Sequence, residues 1–240
     1  MEKGKKRSFE VDDEMAETAQ MYVGYVRAHS DGRTIHIEQK FSLGSLRPPF
    51  DAGGTADAVI YDQPARMLEV VDLKGGRGVV VEAKGNPQLR TYALGAMLAN
   101  PGLAVDTVKV TIVQPRAGHK DGRIRSETFS VGDLVEWTGE LLEAMQRSAK
   151  ALEDLDLMPQ AAWAAKHLKA GDHCKFCKAA GFCPALEQKA LDAAGVWFDD
   201  MDQPRISNAP DTLSAERLAQ LLDAADMIGD WLNAVRAHAH

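Results

Sequence analysis

Residues 70–88 read VVDLKGGRGVVVEAKGNPQ and hold two triplets of one kind, Asp72-Leu73-Lys74 and Glu82-Ala83-Lys84. In a strand, an acid and a lysine two residues apart point to one face and the spacer to the other. A metal-dependent phosphodiesterase needs such a pair, the carboxylate for the ion and the cation for the phosphate. The hairpin before them decides which triplet is the working one. Residues 55–62 (TADAVIYD) and 67–73 (MLEVVDL) read as strands joined by the short turn Gln63-Pro64-Ala65-Arg66. A turn centred on Pro64–Ala65 sets Asp57 opposite Asp72, whereas pairing Glu82 with Asp57 would put the turn inside MLEVV. Like charges directly opposite destabilise a sheet. Two carboxylates there imply a shared cation, Mg²⁺ or Mn²⁺ by oxygen preference, or else one acid standing in water at the sheet margin. Lys74 follows on the same face, and Glu82-Ala83-Lys84 reads as an exposed strand end.

Around this centre the pattern is mixed α/β with a helical C-terminal part. Residues 12–29 have apolar side chains at helical spacing behind an acidic start, and 34–42 alternate like a strand. A Pro- and Gly-rich loop leads to the hairpin. Pro87 suits the first turn of a helix over 88–100. Strands follow at 106–116 and, more weakly, 124–130, then a helix to about Leu157, a short helix at 161–170, the cysteine segment, and a helix from Pro184 to about Ala194. A polar linker (199–211) precedes a last amphipathic helix, 213–237. On the helix after Pro87, Gln88 and Tyr92 stand at i and i+4 and share a face, placed to bond a nucleic-acid strand or a metal's water, or merely an exposed Gln beside a half-buried Tyr.

The 240 residues suit one sizeable domain or a core with an appendage, and 45% hydrophobic with 26% charged residues is ordinary for a globular protein. No run approaches the ~18 apolar residues of a membrane span, and the charged start lacks the apolar stretch of a secretory signal, so a cytoplasmic protein is expected. The net charge of −7 excludes coating of nucleic acid by bulk electrostatics. A local basic groove stays open: residues 109–125 carry five Lys or Arg against one Asp, and Arg90, Arg116 and Lys120 are the candidate nucleic-acid contacts. The three cysteines, Cys174, Cys177 and Cys183, are too few and too clustered for a disulfide framework and point to a metal.

Taken together, Gly54-Thr55-Ala56-Asp57, Asp72-Leu73-Lys74 and Gln88-Leu89-Arg90-Thr91-Tyr92 resemble, in order and spacing, the G-x-x-D, D/E-x-K and Q-x-x-x-Y motifs of the RecB-like branch of the PD-(D/E)XK nuclease superfamily. Cys174-x-x-Cys177-x5-Cys183 is similar to the iron–sulfur signature of CRISPR-associated and AddB-type nucleases. NPQLRTYALGA, IVQPR and GDHCKFCKAAGFC look like a phage and prophage family of RecB-like nucleases, a likeness covering about residues 8–195. The resemblance implies a restriction-endonuclease-like fold and metal-dependent hydrolysis of DNA single strands or duplex ends. It implies Asp57, Asp72 and the Leu73 carbonyl on Mg²⁺ or Mn²⁺, Lys74 on the attacking water and phosphate, and Gln88 and Tyr92 orienting the site or the strand. It divides the chain into a nuclease core (1–160), a cysteine-cluster segment packed on it (161–198), and a linker with the amphipathic helix (199–240).

Two parts of that pattern are missing. The family has an upstream His or Glu that completes the metal site and an upstream cysteine that completes the cluster, and the sequence opens at a point resembling the interior of longer members, as a shortened form would. Glu38 and Glu17 are the candidates for the first, ahead of His29 and His36. For the second, three thiolates with an unknown fourth ligand would hold an iron–sulfur cluster, or Zn²⁺ with a nitrogen ligand such as His173 or His167. The expected function is a metal-dependent DNA nuclease of a phage or prophage in a bacterial cell. The rivals are a DNA-binding module with impaired cleavage and a subunit that docks phage recombination proteins through the stripe Leu218, Leu221, Leu222, Ala225, Ile228, Leu232 and Val235.

Overall fold

The structure is a computed structural model that describes residues 10–195 and 215–239. The chain divides into two compact units, Met1–Ala149 and Lys150–His240. In the first, a five-stranded sheet has the order β1 (Thr34–Ser42), β2 (Gly53–Asp62), β3 (Met67–Leu73), β4 (Thr107–Val113), β5 (Ile124–Ser130). All neighbours are antiparallel except β3 and β4, which run parallel and need a crossover. Helix α2 (Pro87–Ala99) supplies it. This mixed sheet flanked by helices is an α/β fold of the restriction-endonuclease-like kind.

Each face of the sheet is closed by a helix whose start is written in the sequence. The Asp12 side chain caps α1 (Asp13–Ser30) by accepting from Met15 N at 2.7 Å, and Asn86 caps α2 by accepting from Leu89 N at 3.1 Å, with Pro87 in the first turn. Helix α1 lays Met21, Tyr22, Tyr25 and Val26 on Ala58, Ile60, Val71 and Val113. On the other face α2 sets Leu89, Ala93 and Ala96 against Val59, Leu68, Val70, Val110 and Ile112, joined by Leu134 and Trp137 of α3 (Val131–Leu155). The central strands are therefore apolar on both sides, as strands between two helical layers must be.

The hairpin pairs Ala58–Val71 through Asp62–Met67, the register of a turn centred on Pro64–Ala65. The apolar run after β3 reads as the start of a strand and is not one. Residues 74–86 have no strand, because both neighbours of β3 in the sheet are taken. Side chains hold the run instead: Gln114 donates to Val79 O and accepts from Val81 N, and Arg125 donates to Val81 O at 2.7 Å. Glu82 and Lys84 are exposed, on a loop rather than a strand end.

The second unit is helical: α4 (Gln160–His167), α5 (Pro184–Gly195) and α6 (Ala215–Ala239), with short 3₁₀ turns at Asp172–Phe176 and Ala180–Phe182. Its fixed point is Asp154 near the end of α3, buried and bound by Lys166 (2.6 Å), His167 (2.9 Å) and Lys150 (3.0 Å). Helix α6 lies so close to the second turn that a Cβ on Gly181 would stand 2.5 Å from Ala234 O. The linker expected at 199–211 and the side chains of Leu218 and Leu221 lie outside the described residues; Leu222 and Leu232 are exposed. No helix among the described residues is long and apolar enough to cross a membrane.

Candidate functional site

At Asp57 the ladder of β2 is interrupted on the β1 side and has already ended on the β3 side. On the β1 side, Ile37–Ala58 and Gln39–Ala56 pair, but Glu38 and Asp57 between them do not. Glu38 has φ +50°, a left-handed backbone that few residues except glycine adopt. The alternation of side chains changes there too. Ala58 and Ile60 face α1, whereas Ala56 belongs with Val59 and Tyr61 on the α2 side. On the β3 side the last pair is Ala58–Val71. Asp57 then turns its carboxylate to the neighbouring strand, where Oδ2 accepts from Leu73 N at 2.9 Å. A side chain replaces a ladder bond where the strands part.

Asp72 sits one step beyond that last pair, 3% exposed. Burial pushes its carboxyl above the usual carboxylate range; Lys74 pulls it back, and the charge of Asp57 adds to the push. Lys74 Nζ stands 2.8 Å from Asp72 Oδ2 and donates to Gln88 Oε1 at 2.7 Å, and Gln88 Nε2 donates to Tyr92 OH at 2.7 Å. Four of the five catalytic candidates, from two of the three motifs, thus form one chain of contacts, and Asp57, from the third, lies against it through Leu73. Tyr92 is placed by packing: its ring meets Phe41 edge-on at 5.7 Å. Gly54 is small because a Cβ there would meet both rings, 3.0 Å from Phe41 and 3.4 Å from Tyr92.

Of the other candidates, Glu17 is exposed on α1, whereas Glu38, also exposed, stands beside Asp57 between the pairs Ile37–Ala58 and Gln39–Ala56. His29 stacks on Tyr25 and bonds its carbonyl, beside Arg33, Glu69 and Lys109. His36 lies on β1, opposite Val59. Arg90 is engaged by Glu127 and lies over the Phe129 ring, Arg116 is engaged by Glu14, and Lys120 is exposed beside Glu82 and Lys84.

Sequence reasoning missed what α1 contributes. Helix α1 is anchored by Tyr25, whose hydroxyl donates to the buried Glu69 at 2.7 Å, a carboxylate that also accepts from Thr111 at 2.7 Å and meets Lys109 at 3.1 Å. One turn back, Tyr22 has a buried hydroxyl with no hydrogen-bond partner among the described residues. Burial pushes its phenol far up, and the charges of Asp57, Asp72 and Glu38 push it further. Thr18 and Glu14 continue the same stripe. The signal was present as the spacing i, i+4, i+8 of Glu14, Thr18 and Tyr22.

Does this set suit a divalent ion? Asp57 and Asp72 offer hard oxygen donors. Buried Asp72 Oδ2 has the Lys74 ammonium at 2.8 Å and no other partner among the described residues, which leaves acceptor capacity for a cation. Two such oxygen donors are of the kind Mg²⁺ or Mn²⁺ takes; among the described residues no third His, Cys, Asp or Glu side chain joins them. The cysteines stand differently. Cys174 and Cys177 line a cavity of about 690 Å³ with Trp231, Asp226 and Asp230, and Cys183 is outside that lining. His173 bonds Lys169 O and His167 bonds Asp154. Among the described residues no three His, Cys, Asp or Glu side chains converge as a metal site, so these thiols do not by themselves close a four-ligand site.

A solved structure described as "Crystal structure of SSO0001" is similar to this chain with a TM-score of 0.32 and 16% identity, over 68% of this chain. The match covers 65% of that structure's chain, less than two thirds of it. A family model matches residues 1–240 throughout, both acids, the lysine and the Gln–Tyr pair included, and the chain belongs to that family, described as "Protein of unknown function (DUF2800)".

Proposed function

We propose that this protein is a RecB-like, divalent-metal-dependent nuclease that hydrolyses phosphodiester bonds of DNA single strands or duplex ends, in phage recombination or DNA processing. The observation that carries the reading is the run of contacts from Asp72 to Lys74, Gln88 and Tyr92 beside Asp57. Asp57 and Asp72 would hold Mg²⁺ or Mn²⁺, with the Leu73 carbonyl as a further ligand. Bound there, the ion would polarise the phosphate and lower the pKa of water toward neutrality. The protein's own part is electrostatic and positional. Lys74 presents a fixed ammonium to the negative charge that grows on the phosphate oxygens. Gln88 holds that ammonium by its carbonyl and is held in turn by Tyr92, so Lys74 enters the reaction already oriented. The tilt of α2 on Phe41 sets the position of both.

Cleavage of end-labelled single- and double-stranded DNA with Mg²⁺ or Mn²⁺ tests this. Asp72→Asn is expected to abolish cutting, and Lys74→Ala to slow it about 10²–10³-fold, the usual loss for one charge-stabilising group. Cutting that survives both substitutions would sink the reading. A second reading, a DNA-binding module with impaired cleavage, is favoured by the pair of carboxylates at the site where the family pattern has three ligands. It is identified by strand binding without cutting. A metal on Cys174, Cys177 and Cys183, iron–sulfur or Zn²⁺, would be structural, and iron, sulfide and zinc analysis of protein purified without oxygen measures it.

A further inference from the structure

Arg77 and Arg116 come from separate loops, one after β3 and one after β4, yet both close on one carboxylate, Glu14 in the first turn of α1. Arg116 grips it two-handed, Nε on Oε1 at 2.9 Å and Nη2 on Oε2 at 3.2 Å, and donates through Nη1 to Gly75 O at 3.1 Å. Arg77 grips it from the other side through Nε, at 3.1 Å, and Nη2. Two guanidiniums on one carboxylate leave positive charge in excess. Gly75 follows Lys74 directly, so that charge is fastened to the main chain of the reactive segment. The stripe of α1 that carries Glu14 also carries Thr18, whose Cγ2 lies 3.9 Å from the place of a Gly75 Cβ.

A pair of forked donors suits a carboxylate and a phosphate equally, since both offer two oxygens to parallel N–H groups. The side chains of Arg77 and Glu14 are 69% and 37% exposed, so a competing anion can reach them from solvent. Arg116, at 23%, is the more deeply seated of the two arginines. We propose that Arg77 and Arg116 form a subsite for a backbone phosphate of the bound strand, next to the bond that is cut, and that Glu14 occupies it until the strand displaces it. The inference rests on the nuclease reading and adds where the strand is gripped and what it must expel.

The sign of one substitution separates the two roles of Glu14. As a stand-in for phosphate it competes with DNA, so Glu14→Gln tightens binding; as a clasp it supports the loop, so Glu14→Gln weakens binding or leaves it unchanged. The test uses the full chain carrying Asp72→Asn, with Mg²⁺ and a fluorescein-labelled single-stranded oligonucleotide, read by anisotropy across a salt series and by gel. Added Glu14→Gln is expected to lower the Kd several-fold. Added Arg77→Ala should raise it and flatten the slope of log affinity against log salt by about 0.7, the release expected for one phosphate of a single strand. Equal affinities and slopes for all three proteins would overturn the subsite and leave the nuclease reading standing. Absence of binding in every protein, or a probe still cut despite Asp72→Asn, would overturn that reading and the subsite with it.

Discussion

Asp72 shows how a single residue is made costly for a purpose. Its carboxyl is buried and pushed above the usual range. A carboxyl whose pKa is higher in the folded chain binds its proton more tightly folded than unfolded. The contribution of Asp72 to stability is therefore greatest at low pH and falls as pH rises from the unfolded value, about 3.9, through the raised one. At neutral pH the ionised group works against the fold unless a cation sits on it. Metal-free Asp72→Asn should thus melt higher than the parent near neutral pH. Mg²⁺ should raise the melting point of the parent and leave that of the variant unmoved, since only what binds the folded state stabilises it. Thermal melts with and without Mg²⁺ measure both. Asp57, Asp72, Lys74, Gln88 and Tyr92 were legible because motif spacing alone brings them near one another. Tyr22 and Glu14 were not, because which stripe of α1 turns inward depends on Tyr25 finding Glu69 across the fold. Glu17, on the same helix, is exposed to solvent.

At the scale of elements, the position of Gln88 and Tyr92 is the position of α2, and α2 rests on a glycine. A Cβ at Gly95 would meet the Phe41 ring at 2.1 Å. The same ring meets Tyr92 and the space over Gly54. Gly95→Ala forces the ring or the helix aside, an overpacking that costs about 1–3 kcal/mol. It should lower stability in denaturant titration by that amount, and slow cleavage because the partners of Lys74 move with the helix. The hairpin, its register and the starts of α1 and α2 were readable because turn chemistry, period, an acidic first turn and Pro87 are local signals. The loop over 74–86 was not. Val79-Val80-Val81 has the composition of a strand, but whether a run becomes one depends on an open sheet edge, and β2 and β4 had already taken both sides of β3. Gln114 and Arg125 hold that run by its main chain.

For the molecule as a whole, the junction of α3 and α4 in the second unit is tied by one acid, Asp154. Lys166 and Lys150, with His167, hold the Asp154 carboxyl well below its usual range. A depressed pKa gives stability that is present above the unfolded value and is lost as pH falls through the folded one. Helix content of the parent should therefore decline below about pH 4, with proteolysis of residues 160–190 rising as it does. Asp154→Asn should melt lower than the parent at pH 7 and change less on acidification; circular dichroism melts across pH decide it.

The other end of the chain has a different exposure. Strand β1 is an edge of the sheet, with Ile35 and Ile37 open to solvent, and such edges invite a strand from another copy. The left-handed backbone at Glu38 interrupts that invitation in mid-strand. An incoming chain could follow β1 for a few residues on either side and would meet at Glu38 an exposed charge on a backbone that makes no regular pair even with β2. The irregularity that lets Asp57 turn toward Leu73 therefore also guards the molecule against fibrous self-association, and a change that straightened β1 to improve the sheet would disarm the site and open the edge together.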